Sequence, residues 1–160
     1  MPIQPTTDLC DALGADVRVL DPLFRDFGAR RSFAGRIATV LAPEDNSKVK
    51  EALSEPGNGR VLVVEGFASR NCAFVGGNLG VLAVKNGWAG IVVHGFVRDS
   101  DELAACDLGI RAMGAYPRKT EKRNAGERDV VVQFAGVTFR PGEWLCADAD
   151  GIVVCATEPA

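Results

Sequence analysis

Two patterns of hydrophobic and polar positions divide the chain. Up to about residue 115, apolar runs alternate with amphipathic stretches of helical period; beyond residue 130, short apolar runs follow one another with only turn residues between them. "TTDLCDAL" fits a short helix capped by Thr6, Thr7 or Asp8, whose side chains can accept a hydrogen bond from a free first-turn N–H. "FAGRIATVL" (Phe33 to Leu41) reads as a strand. "RVLVVEG" is a continuous apolar run closed by Gly66, the pattern of a buried strand. Between them, "EDNSKVKEALSE" reads as a helix that starts at Asp45 or Asn46 and is ended by "PGNG".

A strand near "NCAFV" follows, then a helix from about Asn78 to Asn86 stopped by Gly87, then the strand "GIVVH". Leu79, Leu82 and Ala83 fall at i, i+3 and i+4, on one helical face. A strand–helix–strand unit of this kind predicts parallel strands joined by a right-handed crossover. A short helix from Ser100 to about Ala105 and a strand near "GIRAMGAY" come next. The last third, "DVVVQFAGVTFRPGEWLCADADGIVVC", is strand-rich, with "RPGE" and "DADG" as turns. The expected fold is a single α/β domain over residues 1–160, a parallel αβ region followed by antiparallel hairpins, with a β-rich layer packed on an α/β layer.

Composition narrows the function classes. At 160 residues the chain suits one domain with a substantial core. A net charge of −3 gives no footprint for direct nucleic-acid binding, and Lys122-Arg123 and Arg30-Arg31 read as solvated clusters. No apolar run reaches the ~18 residues of a membrane span. The start, "MPIQPTTDLCDAL", lacks the basic and apolar regions of a signal peptide, so a cytoplasmic protein is expected. Cys10, Cys72, Cys106, Cys146 and Cys155 are odd in number and form no C-x-x-C pair, which fits small buried hydrophobes in a reducing compartment. Trp88 and Trp144 read as packing residues. His94, the one histidine, reads as a packed strand residue.

The candidate chemistry follows from the layout. Ligands of open α/β sheets collect beyond the carboxyl ends of the strands. There "GGN" leaves one parallel strand and "GFVRD" leaves the next. Gly76 and Gly77 lack Cβ, so their N–H groups can approach a ligand closely, and the helix they open favours an anion. Arg98 offers a planar fork for a carboxylate, and Asp99 a hard oxygen for Mg²⁺ or Mn²⁺. A 2-oxo acid could engage both, and a metal there would stabilise its enolate. Aldol cleavage and β-decarboxylation share that enolate. The same residues also admit a purely structural reading, with Asp99 capping the helix at Ser100 and Arg98 paired to Asp101 or Glu102.

"GGNL", "GWAGIVVHGFVRDSDEL" and "GVTFRPGEWLCADADGIVV" resemble the family that contains the regulator of ribonuclease E activity A and the metal-dependent 4-hydroxy-4-methyl-2-oxoglutarate aldolases. "TTDLCDAL", "VLDPLFRDFGARRSFAGRIATV", "EDNS" and "GRVLVVEG" extend the resemblance over nearly the whole chain. It implies a swivelling β/β/α fold and a ring-shaped homotrimer with sites near subunit interfaces. It also implies that the backbone around Gly76, Gly77, Asn78 and Leu79 binds the pyruvyl end of the substrate, that Arg98 is a substrate ligand, and that Asp99 is the metal ligand. The implied activity is that of a class II-type aldolase, with oxaloacetate decarboxylation as a companion. The alternative is a protein that binds and inhibits ribonuclease E without catalysis. A ring scaffold with a relic site is a third reading.

Two departures from the aldolases stand out. They carry an acid twenty-one positions before the arginine, where this chain has Gly77, so the expectation is slow enolate protonation that Gly77→Asp would speed. They also use acids from a neighbour's longer C-terminal region, whereas the length here resembles the regulators. Asp99 points back to the enzymes, because regulators that bind ribonuclease E can lack it.

Overall fold

The computed structural model describes residues 3–160. The first helix, α1 (Thr6–Leu13), is preceded by Pro5 and has no local side-chain cap. The expected caps Thr6, Thr7 and Asp8 give way to a distant one. Asp148 accepts hydrogen bonds from the Thr6 N–H (2.7 Å) and hydroxyl (2.8 Å). A carboxylate satisfies a first-turn donor from wherever tertiary packing brings it. Strands β1 (Val17–Val19) and β2 (Arg25–Asp26) lead to β3 (Phe33–Leu41). The parallel region comprises α2 (Ser47–Leu53), β4 (Val61–Glu65), β5 (Ala73–Val75), α3 (Gly77–Lys85), β6 (Gly90–Val97), α4 (Ser100–Ala104) and β7 (Gly109–Ala115). The strands β8 (Glu127–Arg128), β9 (Val132–Phe134), β10 (Val137–Phe139), β11 (Trp144–Asp148) and β12 (Gly151–Cys155) complete the chain.

Strand β3 belongs to both halves. Its start pairs antiparallel with β11, Phe33 opposite Ala147 and Arg36 opposite Trp144. From Ile37 onward it pairs parallel with β4. The parallel order then runs β3–β4–β6–β7, with β5 also alongside β6, and the antiparallel order runs β1–β12–β11–β3. Leu145, Ile152 and Val154 of the antiparallel layer share one core with Val61, Val63 and Val92 of the parallel layer. On the other face of the parallel layer, Val49, Leu53, Leu79, Ala83 and Leu103 from the helices pack on Val40, Leu62, Val64 and Ile91. The result is a mixed α/β domain of two β layers and one helical layer, as expected.

Two turns differ in role. "DADG" closes the β11–β12 hairpin, with Asp148 opposite Gly151. "RPGE" joins strands that do not pair with each other, since β10 pairs with β9 and β11 with β3 and β12. A further hairpin, β9–β10, is turned by Ala135 and Gly136 at φ 51° and 75°. Two positive φ values are what a tight two-residue hairpin turn demands. No helix among the described residues is long and apolar enough to cross a membrane.

Candidate active site at the ends of β5 and β6

Val75 and Val97 are register partners at the ends of the parallel strands β5 and β6. Gly76-Gly77 and Arg98-Asp99 therefore leave the sheet at the same level, and the Arg98 N–H donates to the Val75 carbonyl at 2.9 Å. Asp99 adopts a left-handed backbone, φ 58°, and its side chain does not cap α4. Instead its Oδ2 accepts the Gly77 N–H of α3 at 2.8 Å. The carboxylate thus sits at the positive end of the nine-residue α3, not of its own helix. Asn78 and Leu79 supply the remaining N–H donors of that first turn.

The Gly pair serves close approach rather than an unusual backbone. Gly76 lies at φ −124°, and Gly77 is helical. A Cβ on Gly76 would lie 2.7 Å from Asp99 Oδ2 and 3.3 Å from Arg98 Cγ. A Cβ on Gly77 would overlap a carboxyl oxygen of Glu102. The space beside residue 77 is therefore already filled by an acid, which arrives from α4. Neither Gly77, expected as a substrate-binding residue, nor Glu102 is among the residues that line the cleft. No sequence signal singled out Glu102, because its approach to Gly77 depends on how α4 packs against α3.

Asn78, Leu79, Gly76, Arg98 and Asp99 line one cleft of about 160 Å³, together with Asn46, Lys50, Lys119 and Lys122. Arg98 is half-buried, and neither Asp101 nor Glu102 pairs with it. Among the described residues its guanidinium has no carboxylate partner. The structural readings of Arg98 and Asp99 are therefore both replaced: the first is free to grip an anion, and the second faces α3.

A buried polar knot holds the far wall. Asp45 is fully buried. Its Oδ1 accepts from the Ser47 N–H (2.8 Å) and hydroxyl (2.6 Å), and its Oδ2 from the N–H groups of Arg123 (2.6 Å) and Ala125 (3.0 Å). Burial pushes this carboxyl up, but the hydrogen bonds from Ser47, Ala125 and Arg123 outweigh it and hold it well below the usual carboxylate range. Asn46 donates to the Phe74 carbonyl at 3.0 Å, and its Oδ1 accepts from the Thr120 hydroxyl at 2.8 Å. "EDNS", read from sequence only as a helix start, thus ties α2 to β5 and to the segment that carries Lys119 and Lys122.

The remaining candidates lie elsewhere. His94 Nδ1 is 2.6 Å from Glu65 Oε1, and its ring stacks on Phe134 at 4.7 Å, so it packs as expected. All five cysteines are free, and four are buried. Burial pushes the Cys146 thiol up to about 11 and raises Cys72, Cys106 and Cys155 as well, which suits inert core residues. Trp88 is buried, with Arg60 over its ring, as a packing residue should be.

Comparison with known proteins places these features in a wider set. The family model of RraA-like proteins, Aldolase/RraA, matches residues 6–154. A protein of Alkalilimnicola ehrlichii is 59% identical over 150 residues, covering 94% of this chain and 93% of its own. One of Cupriavidus necator is 55% identical over 154 residues, with 93% of each chain covered. Both carry the provisional name 4-hydroxy-4-methyl-2-oxoglutarate aldolase. Two solved structures superpose at a TM-score of 0.95 and 43% identity. One is the RNA-processing inhibitor RraA from Thermus thermophilis, covering 100% of this chain and 96% of that one. The other is described as an S-adenosylmethionine:2-dimethylmenaquinone methyltransferase from Geobacillus kaustophilus, covering 97% and 96%.

Proposed function

This chain belongs to the RraA-like, Aldolase/RraA family, and from that premise we propose that it is a lyase that cleaves 4-hydroxy-4-methyl-2-oxoglutarate, or a similar 4-hydroxy-2-oxo acid, to pyruvate. Oxaloacetate decarboxylation would share the pyruvate enolate. The observation that carries this reading is the unpaired Arg98 guanidinium beside the Asp99 carboxylate at the first turn of α3. The methyltransferase description of one relative fits the cleft poorly. A sulfonium cofactor is cationic and a menaquinone precursor is apolar, whereas four cations line this cleft.

The residues present fit a divalent cation that keeps most of its waters. Asp99 uses one carboxyl oxygen on Gly77 and leaves the other free, and no group of three or more potential metal ligands gathers among the described residues. When bound, Mg²⁺ or Mn²⁺ would supply Lewis-acid stabilisation of the enolate oxygen. Arg98 orients the substrate through its C1 carboxylate, with the Asn78 and Leu79 N–H groups as supporting donors. Cleavage of the C3–C4 bond needs the C4 hydroxyl proton removed and C3 protonated. We assign both transfers to Glu102, which fills the space beside Gly77 without itself lining the cleft and would act through water.

Arg98→Lys keeps the charge but loses the planar two-bond grip. It should lower kcat/KM about tenfold or more, since ~1.4 kcal/mol corresponds to tenfold and a charge-assisted contact is worth at least that. Steady-state kinetics on both substrates test this, and wild-type values would mean that Arg98 does not hold the carboxylate.

Position 77 offers an exchange experiment. Gly77→Asp alone must push aside the Glu102 carboxyl, the far end of an exposed side chain, so its expected gain in turnover is read beside the double variant. Glu102→Ala should lose on the order of 10²-fold in kcat, the lower end for general acid–base help. Gly77→Asp added to Glu102→Ala should recover part of it, because the two carboxyls fill one space. Full turnover in Glu102→Ala would remove Glu102 from the mechanism.

The similarity to an RNA-processing inhibitor supports a second reading, docking on ribonuclease E. The homotrimer belongs to the proposal as well. Exposed Val19, Phe67, Val81 and Val131 are apolar surface that such an assembly could bury.

A further inference from the structure

Strand β6 is irregular just before it delivers Arg98. Val93 is the register partner of Ala112 on β7, but Phe96 is that of Gly114, so β6 takes three steps where β7 takes two. The extra residue lies at His94-Gly95, four positions before Arg98. A bulge of this kind re-aims the strand that follows it. If the extra residue moved, Arg98 and Asp99 would shift by one position, ~3.3 Å, and lose their level with Gly76 and Gly77. The bulge therefore has to be held.

His94 is held at its backbone and at its ring. Its carbonyl accepts the N–H groups of Gly66 and Ala68, each at 3.1 Å. Its Nδ1 donates to Glu65 Oε1 at 2.6 Å, and the same oxygen accepts the Phe67 N–H at 2.7 Å. Glu65 is buried and is the register partner of His94 on β4. Phe67 and Ala68 reach this arrangement only in the left-handed region, φ 57° and 54°, which residues with a Cβ seldom enter. Such backbone persists where its contacts over-determine it. Gly66 and Gly95 also flank the buried Phe74 ring, and a Cβ on either would lie 2.7 or 2.9 Å from it.

We infer that Glu65 and His94 are positioning residues: their hydrogen bond pins the β6 bulge and so sets the register at which Arg98 and Asp99 leave the sheet. Neither residue lines the cleft. Packing alone needs only the His94 ring, stacked on Phe134, whereas the pin needs the Nδ1 donor. The contribution to turnover rests on the lyase reading, and the register does not.

Two replacements separate donor from ring. His94→Phe keeps the stack and loses the donor. His94→Asn loses the ring but puts an amide N–H where Nδ1 stands. His94→Phe should lower kcat for pyruvate release about tenfold or more, since a misplacement of ~1 Å can cost on the order of 10²-fold. His94→Asn should stay within about threefold of wild type, because the hydrogen bond survives. Glu65→Leu should reproduce the loss, and Glu65→Gln, whose amide oxygen still accepts both bonds, should not. Hydrogen exchange of the Arg98 and Gly77 amides, which bond to Val75 and Asp99, is read by NMR without substrate. In His94→Phe both should exchange about tenfold faster while the amides of the β11–β12 hairpin keep their rates. Equal loss of turnover in His94→Phe and His94→Asn, loss in His94→Asn alone, or loss in neither reduces His94 to a packing residue. Unchanged exchange at Arg98 in His94→Phe does the same. If wild-type protein releases no pyruvate, the lyase reading fails, and exchange alone decides whether the pin sets the register.

Discussion

Asp99→Asn should lower metal-dependent pyruvate release by on the order of 10³-fold, the several kcal/mol that charge stabilisation of an enolate supplies. Asparagine is the informative replacement. It matches aspartate in size, it tolerates the left-handed backbone found at φ 58°, and its carbonyl can still accept the Gly77 N–H. What it lacks is the anionic oxygen. Folding should therefore be nearly unchanged, while Mn²⁺ binding measured by calorimetry weakens in parallel with activity. Full activity in this variant, or in excess chelator, would sink the mechanism. The same protein separates the two functional readings. If this chain also restrains ribonuclease E by surface docking, Asp99→Asn should inhibit as well as wild type. Loss of inhibition together with loss of metal binding would mean that the two functions share the cleft.

The largest effect on stability is expected at Asp45. Asp45→Ala strips the acceptor from three buried or half-buried N–H groups and one hydroxyl at once. Each stranded donor costs about 1–3 kcal/mol, so a loss on the order of 4 kcal/mol is expected even after partial relaxation. Urea denaturation measures it, and a loss below ~1 kcal/mol would show that the segment from 118 to 125 finds other partners. The pH dependence has a definite sign. Asp45 has a depressed folded-state pKa, so its contribution is fully present above the unfolded carboxylate value near 4 and is lost as pH falls toward the lower folded value. Asp45→Asn should flatten that acid limb.

Much of this protein was legible along the chain. The 9-residue strand Phe33–Leu41 is continuous in its pattern and continuous in the fold, and "RVLVVEG" is buried because parallel strands covered on both faces need no polar alternation. The placement of Gly76-Gly77 and Arg98-Asp99 at neighbouring strand ends followed from one strand–helix–strand unit, a local relation that the sequence order itself encodes. Tertiary structure alone decided which groups those residues meet. Asp148 caps α1 from 142 positions away, Asp99 turns from its own helix to α3, Glu102 fills the space at Gly77, and Asp45 binds the backbone near residue 124. A carboxylate's partner is set by whichever unsatisfied donor the packed elements bring within about 3 Å, and periodicity carries no record of that distance. The same holds for the lysines, which look like ordinary solvated charges until α2, the end of β5 and the segment beyond β7 enclose one cleft.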